Sequence, residues 1–311
     1  MSEFDQINEL LHQRADLQAR LNLMPYDGTP EVKLQSNTKY LYVRKRVNGK
    51  MTSTYVGEYT DELYNVLLRN NAEAKKIRKE LRKVLKELAT LGYVEDELDI
   101  RVLNNIDFAR ANMKNNIYDQ AVLEGVATSF PQTEEIIDNG KVYGVTATDV
   151  QKILNLKHAW EFILDKDVVA SQSDYYVLSH ISRIVNEGFF VNGGRIRGVP
   201  VTIGGSSYVP PLPLELDVKE SIARIVNSSK EPIDVAIDLC LYCMKTQIFM
   251  DGNKHASVIF ANHYLISKGG GFLVIPEKDV PDFKKLLVRY YEGEDMKIIS
   301  QFMKDKCWKN F

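Results

Sequence analysis

The chain has 311 residues, 44% of them apolar and 26% charged, which is the mix of a globular protein with two domains or one elaborated domain. Forty basic against 42 acidic side chains give a net charge of −2, so no overall basic excess points to nucleic acid, and three cysteines exclude a disulfide scaffold and fit a reducing cytoplasm. No run of about 18 apolar residues exists, and the opening MSEFDQINELLHQR lacks the apolar stretch of a signal peptide. A cytoplasmic protein without a membrane segment is expected.

Residues 2–23 place Leu10, Leu11, Leu17, Leu21 and Leu23 among charges, the pattern of an amphipathic helix, and Pro25, Gly28 and Pro30 then break it. From Lys39 to Tyr59 the period changes to two. Leu41, Val43 and Val47 share one face, and Tyr40, Tyr42, Arg44 and Arg46 share the other. Asn48-Gly49 separates two such runs and predicts a hairpin turn, because both turn positions want positive φ. Thr60 opens a long helix whose stripe includes Leu63, Leu67, Ala74, Ile77, Leu81, Val84, Leu85 and Leu88, and Gly92 ends it. On this helix Lys75, Lys76, Arg78, Lys79, Arg82, Lys83 and Lys86 turn away from the stripe. Such a run either grips phosphates or is a solvated face interleaved with Glu73, Glu80 and Glu87. Residues 39–86 are therefore a candidate nucleic-acid or partner surface. A boundary near 93–97 separates a small α+β module, residues 1–95, from residues 96–311.

The second part reads as mainly α, with helix-like stretches at 98–121, 132–138, 146–163, 174–187, 217–228, 232–246, 254–268 and 279–303. One segment interrupts them. Residues 195–211 read as a β-hairpin flap, with Val201, Thr202 and Ile203 on one arm and Tyr208 and Val209 on the other. Gly204-Gly205 forms the turn, and Pro210-Pro211 forms the stop.

The segment richest in chemistry is Gln247-Ile248-Phe249-Met250-Asp251-Gly252-Asn253-Lys254-His255, followed by a helix. A helix N-terminus offers unpaired N–H groups and a positive dipole end, which favours phosphate. Gly252 permits close backbone approach, Asn253 continues the turn, and Lys254 and His255 add charge or donors. Asp251 is suited to hold Mg²⁺ bridging phosphate oxygens. An ordinary Asp-Gly turn capping a helix would show the same residues.

The wider pattern resembles the Fic family signature His-x-Phe-x-(Asp/Glu)-Gly-Asn-(Gly/Lys)-Arg-x-x-Arg, here at residues 247–258. GRIRGVPVTIGGSSYVPPLP is similar to that family's substrate-docking flap, and YVLSHISRIVNEGFF to the helix before it. QAVLEGVATSF, within residues 117–130, resembles the family's inhibitory motif (Ser/Thr)-x-x-x-Glu-(Gly/Asn), with Glu124 and Gly125 matching. The resemblance spans about residues 98–300 and implies a mainly helical Fic core. It also implies transfer of AMP from ATP to a hydroxyl of a target protein, with Mg²⁺. Asp251 would then be the metal ligand, Gly252 to His255 the anion loop, Phe249 a core anchor, and Val201 to Val209 the strand that docks a target peptide.

Three departures bear on activity. Gln247 stands at the position of the catalytic histidine, and a carboxamide can orient but cannot deprotonate; losing a base costs about 10²–10⁴-fold. His255 and Val258 replace the two arginines, so the two-pronged guanidinium donors are lost. The resemblance also pairs the inhibitory glutamate with the second arginine, so Glu124 is expected to lack its partner, and Gln120 stands where Ser or Thr belongs. Lys254 matches Doc-like relatives that transfer phosphate, but those keep the histidine.

The favoured reading is a nucleotide-binding pseudoenzyme. The alternatives are an active transferase with altered chemistry and a nucleic-acid or partner-binding regulator acting through residues 39–86. Cys240-x-x-Cys243 has no second pair for zinc and reads as core. Trp160 reads as helix packing, and Gly269-Gly270-Gly271 follows a helix as a cap and turn.

Overall fold

The computed structural model describes residues 3–24, 26–47, 50–94, 97–139 and 144–310. The expected Asn48-Gly49 turn lies outside the described residues. The chain divides into two compact units, Met1–Val94 and Glu95–Phe311.

In the first unit, α1 (Glu3–Asn22) is followed by the antiparallel meander β1 (Thr29–Gln35), β2 (Thr38–Val47) and β3 (Lys50–Glu58), and then by α2 (Asp61–Thr90). The periodicities of α1, β2, β3 and α2 were legible in the sequence, whereas β1 was hidden by Pro30. A proline is tolerated there because β1 is an edge strand. Gly28 precedes it where a Cβ would sit 2.4 Å from the Arg44 carbonyl oxygen, so only glycine fits. Leu41 and Val43 are buried with Val56 and Leu67, which seats the first half of α2 on one face of the sheet. The second half packs Ile77, Val84 and Leu88 against Leu10, Leu11 and Leu17 of α1. Thr60 caps α2 by accepting from the Leu63 amide at 3.1 Å, with Asp61 and Glu62 in the first turn complementing the dipole. Leu85, expected in the apolar stripe, is instead exposed.

The second unit is built on helices: α3 (Ile100–Ala111), α4 (Met113–Leu123), α5 (Phe130–Asn139), α6 (Ala147–Ile163), α7 (Lys166–Ala170), α8 (Tyr175–Val185), α9 (Glu215–Val226), α10 (Pro232–Thr246), α11 (Asn253–Ser267), α12 (Val280–Tyr291) and α13 (Met296–Lys306). Two stretches that read as single helices are each broken. Asn112 leaves helical geometry between α3 and α4, and Gly293, at φ 107°, separates α12 from α13. The short ladder of β4 (Phe272–Leu273) with β5 (Trp308–Lys309) carried no periodicity that a sequence reading could detect.

Helix α11 is the axis of this unit. Every residue from His255 to Ile266 is buried, and α10, α8, α6 and α7 pack around it. Among the described residues no helix is long and apolar enough to cross a membrane, and α11, buried on all sides, is a core helix. Its interior polar groups are satisfied. His263 contacts the Ser173 hydroxyl at 2.8 Å and the Val168 carbonyl at 2.6 Å. Asn262 accepts from the Leu273 amide at 2.7 Å and donates to the Leu273 carbonyl at 2.7 Å, tying α11 to β4. Cys240, Cys243 and Cys307 are free and buried, as core packing requires. Trp160 is fully buried and donates to the Gln120 side chain at 2.7 Å.

Replacing Asn262 by Ala strands a buried N–H and a buried C=O. Each stranded group costs about 1–3 kcal/mol, so urea unfolding of Asn262→Ala is expected to show a lower midpoint with an unchanged slope.

Candidate functional site

The motif forms a closed corner between α10 and α11. Helix α10 ends at Gln247 in the left-handed region (φ 48°, ψ 61°), a conformation that costs a side-chain-bearing residue of order 1–3 kcal/mol. Contacts on both sides hold it there. The Gln247 carboxamide donates to the Met244 carbonyl at 2.7 Å and accepts from Asn253 Nδ2 at 3.2 Å. Its backbone carbonyl accepts from Arg197 Nε at 2.6 Å. Asn253 also closes the loop on itself, accepting from the Phe249 amide at 2.9 Å and donating to the Phe249 carbonyl at 2.8 Å. Phe249 is buried, as an anchor should be.

Gly252 is the N-cap of α11 at φ 69°, and a Cβ there would press on Val185 and Asn186 at 3.0–3.1 Å. Glycine is required on both counts. Asn186 holds the turn from outside by donating to the Asp251 carbonyl at 3.1 Å. Asp251 is exposed, and one of its carboxylate oxygens accepts from the Gly252 amide at 2.7 Å. Beside it lies a pocket of about 190 Å³ whose lining includes Asn186, Phe190, Arg195, Phe249 and Asp251.

Glu124 has a partner that the sequence did not indicate. It sits at the C-cap of α4, where Gly125 at φ 79° lets the chain turn away, and its carboxylate accepts from Lys254 Nζ at 3.1 Å. Burial alone would raise the Glu124 carboxyl, but the neighbouring His255 ring and the Lys254 ammonium outweigh it and hold the group below the ordinary range. The arginine partner that the resemblance implies is absent, and Lys254 pairs with Glu124 instead. Val258 is fully buried and offers it nothing, but Lys254 is one helical turn earlier on the same helix face.

His255 differs from expectation as well. The ring is 5% exposed, contacts the Gln120 carbonyl at 3.0 Å through Nε2, and is pushed by burial below the usual imidazole range. It is a buried group joining α11 to α4, and burial disfavours the charge it was expected to add.

The flap is the third correction. Residues 195–211 contain the expected reverse turn, with Ser206 N donating to the Ile203 carbonyl at 3.2 Å and Gly205 at φ 80°. Val201, Thr202 and Ile203 do not pair with Tyr208 and Val209 in a strand ladder. Contacts from outside the segment take its place. Arg197, 2% exposed, donates to the carbonyls of Val199 (2.9 Å), Pro210 (3.2 Å) and Pro211 (2.6 Å) as well as to Gln247, so one guanidinium ties both ends of the flap to the motif. At the tip, a single Glu292 oxygen accepts from the Ser206 hydroxyl at 3.1 Å and from the Ser207 amide at 2.9 Å and hydroxyl at 3.1 Å. These donors hold the Glu292 carboxyl below its ordinary range. Neither Arg197 nor Glu292 carried a signal in the sequence, because their partners are backbone groups and serines far along the chain.

Comparison with known proteins agrees with this architecture. Residues 4–65 match a family described as a domain of unknown function (DUF6788). No curated protein matches the chain. The fold is similar to Fic-1, residues 134–508, from C. elegans, at 18% identity and a TM-score of 0.53, over 78% of this chain and 75% of that one. It is similar to a Fic domain containing signaling protein from Bacteroides thetaiotaomicron, at 15% identity and a TM-score of 0.52, over 68% and 86%. A Fic family protein from Desulfovibrio desulfuricans matches at 14% identity and a TM-score of 0.51, over 68% and 73%. The chain has a Fic-like helical fold with an N-terminal α+β module.

Glu292→Ala removes the flap's tip anchor while leaving the Arg197 clamp. Limited proteolysis at neutral pH is expected to cut within 201–209 several-fold faster in this variant, with the rest of the digest unchanged.

Proposed function

We propose that residues 96–311 bind a nucleoside triphosphate or diphosphate with Mg²⁺ at Asp251–Lys254, and that transfer of AMP to a protein hydroxyl has been lost. The observation that supports this reading is a glycine-opened helix N-terminus next to a Gln247 that is held in structural hydrogen bonds. Gly252 and Asn253 open α11 at its N-terminus, where the first amides have no intrahelical acceptor and the dipole favours phosphate. Lys254 adds a positive charge, paired with Glu124.

The donor set suits a shared Mg²⁺ and no dedicated cage. Among the described residues no cluster of three or more metal-ligating side chains occurs, and Asp251 is a single exposed carboxylate. Mg²⁺ is commonly held by one or two carboxylates together with substrate phosphates. Asp251 would hold the ion against the phosphates, and the ion would neutralise their charge.

The residues explain why binding outlives transfer. A base must reach the target hydroxyl, and the Gln247 carboxamide, which donates to Met244 and accepts from Asn253, has no basic lone pair to serve as one. His255 faces the Gln120 carbonyl. The Tyr291 hydroxyl lies beside Gln247, but burial raises it far above a useful base. Glu124 occupies Lys254, so an incoming phosphate competes with an internal carboxylate for the same ammonium. A transferase of altered chemistry, including the phosphate transfer that Lys254 suggests, needs a base which these residues do not supply. The flap, with Val199 and Val209 exposed, remains available to a target or partner peptide.

Calorimetry with Mg²⁺ and ATP tests the reading. Weak binding is expected in the unmodified protein, tightening about 5–20-fold in Glu124→Gln as one carboxylate competitor is removed. Binding should be lost in Asp251→Ala combined with Lys254→Ala. With α-labelled ATP, AMP transfer is expected to be absent. It should return more strongly in the triple variant Gln247→His, His255→Arg, Val258→Arg than single changes suggest, since catalytic groups act as a unit. Robust transfer by the unmodified protein overturns the loss of activity, and binding indifferent to Asp251 and Lys254 overturns the site.

A further inference from the structure

The first unit carries a surface that the nucleotide site does not use. Strand β2 points Leu41 and Val43 at α2, so Tyr40, Tyr42, Arg44 and Arg46 lie on the opposite face, which among the described residues no helix of this unit packs against. Tyr55 of β3 stands directly across from Tyr42 and is 52% exposed. Its ring centroid is 5.5 Å from that of Tyr42 and 6.1 Å from that of Tyr40, so three rings form one contiguous patch. Lys33 of β1 places its ammonium 4.2 Å from the Tyr42 centroid and donates to the Ser53 hydroxyl at 3.1 Å. Arg44 flanks the rings with its side chain 51% exposed. Around the rings Lys33, Arg44 and Arg46 stand against Glu31, which pairs with Tyr42 in register, and Glu58, which pairs with Tyr40.

We propose that this sheet face binds single-stranded nucleic acid, with Tyr40, Tyr42 and Tyr55 stacking on bases and Lys33, Arg44 and Arg46 taking the phosphates. The chemistry discriminates among partners. The core of a protein interface is depleted of lysine, whereas here a lysine lies on the ring of a central tyrosine. A stacking platform needs unpaired bases with open π-faces, which a duplex does not present. Glu31 sets the strength. It lies on the edge strand, 3.6 Å from Lys33 and 4.0 Å from Arg44, and an incoming phosphate must outcompete it for both. Moderate, strongly salt-dependent affinity follows. This inference is independent of the nucleotide site.

The test is fluorescence anisotropy on the full chain with labelled oligo(dT), oligo(U) and a duplex of about 15 nucleotides, at low and at physiological salt. Binding of one or both single strands at low salt, weakening steeply with salt, is expected. Tyr55→Ala should weaken it about 5- to 100-fold, whereas Tyr55→Phe keeps the ring and should keep the affinity. Arg44→Gln with Arg46→Gln should flatten the salt slope by roughly 0.7 for each charge removed. Thermal melting of each variant separates lost contacts from lost folding. The proposal is overturned by no single-strand binding at low salt, by preference for the duplex, or by a folded Tyr55→Ala variant that binds unchanged.

Discussion

Burial of α11 along nearly its whole length is the constraint from which the rest of the second unit follows. A helix wrapped on all sides cannot slide or rotate without opening the core, so its N-terminus is fixed in place. The chain entering it must reverse direction within a few residues after α10. That reversal uses two left-handed residues, Gln247 and Gly252, and the Asn253 side chain that joins Gln247 and Phe249 across the corner. The geometry of this helix N-terminus is thus a by-product of core packing.

Gln247 carries structural tasks at this corner. Its carboxamide caps α10 through Met244 and steadies Asn253, two structural tasks that need hydrogen-bond donors and acceptors but no ionisable group. His255 and Val258 are packing residues, one a buried ring facing the Gln120 carbonyl and the other a core aliphatic. Lys254 is the cationic side chain left in the loop, and Glu124 holds it. Arg197 adds a second constraint, because a buried guanidinium satisfied by carbonyl oxygens couples the base of the flap to the corner itself.

Most of the fold was legible in the sequence because it rests on local signals. Thr60 marks the start of α2, Gly92 its end, and Asp251-Gly252-Asn253 the entry to α11. What escaped was decided by partners distant in sequence. β1 contains Pro30 and reads as a break until its edge position is known. The hairpin expected at 201–209 has the right turn residues, but its arms are held by Arg197 and Glu292 in place of each other. The Glu124–Lys254 contact spans 130 positions. Lys254 lies one turn before Val258 on the same helix face. In the first unit the alternation of Tyr40, Tyr42, Arg44 and Arg46 fixed the exposed face, while Tyr55 and Lys33 joined it only through strand register.

The central claim is that a ligand phosphate and the Glu124 carboxylate compete for Lys254 at the N-terminus of α11. A crystal structure of the protein with Mg²⁺ and ATP tests it directly. The account predicts phosphate oxygens on the amides of the first turn of α11, Mg²⁺ on Asp251, and Lys254 Nζ moved from Glu124 to the phosphates. A nucleotide bound away from residues 251–254, or phosphates seated there with the Glu124–Lys254 pair unbroken, would contradict it.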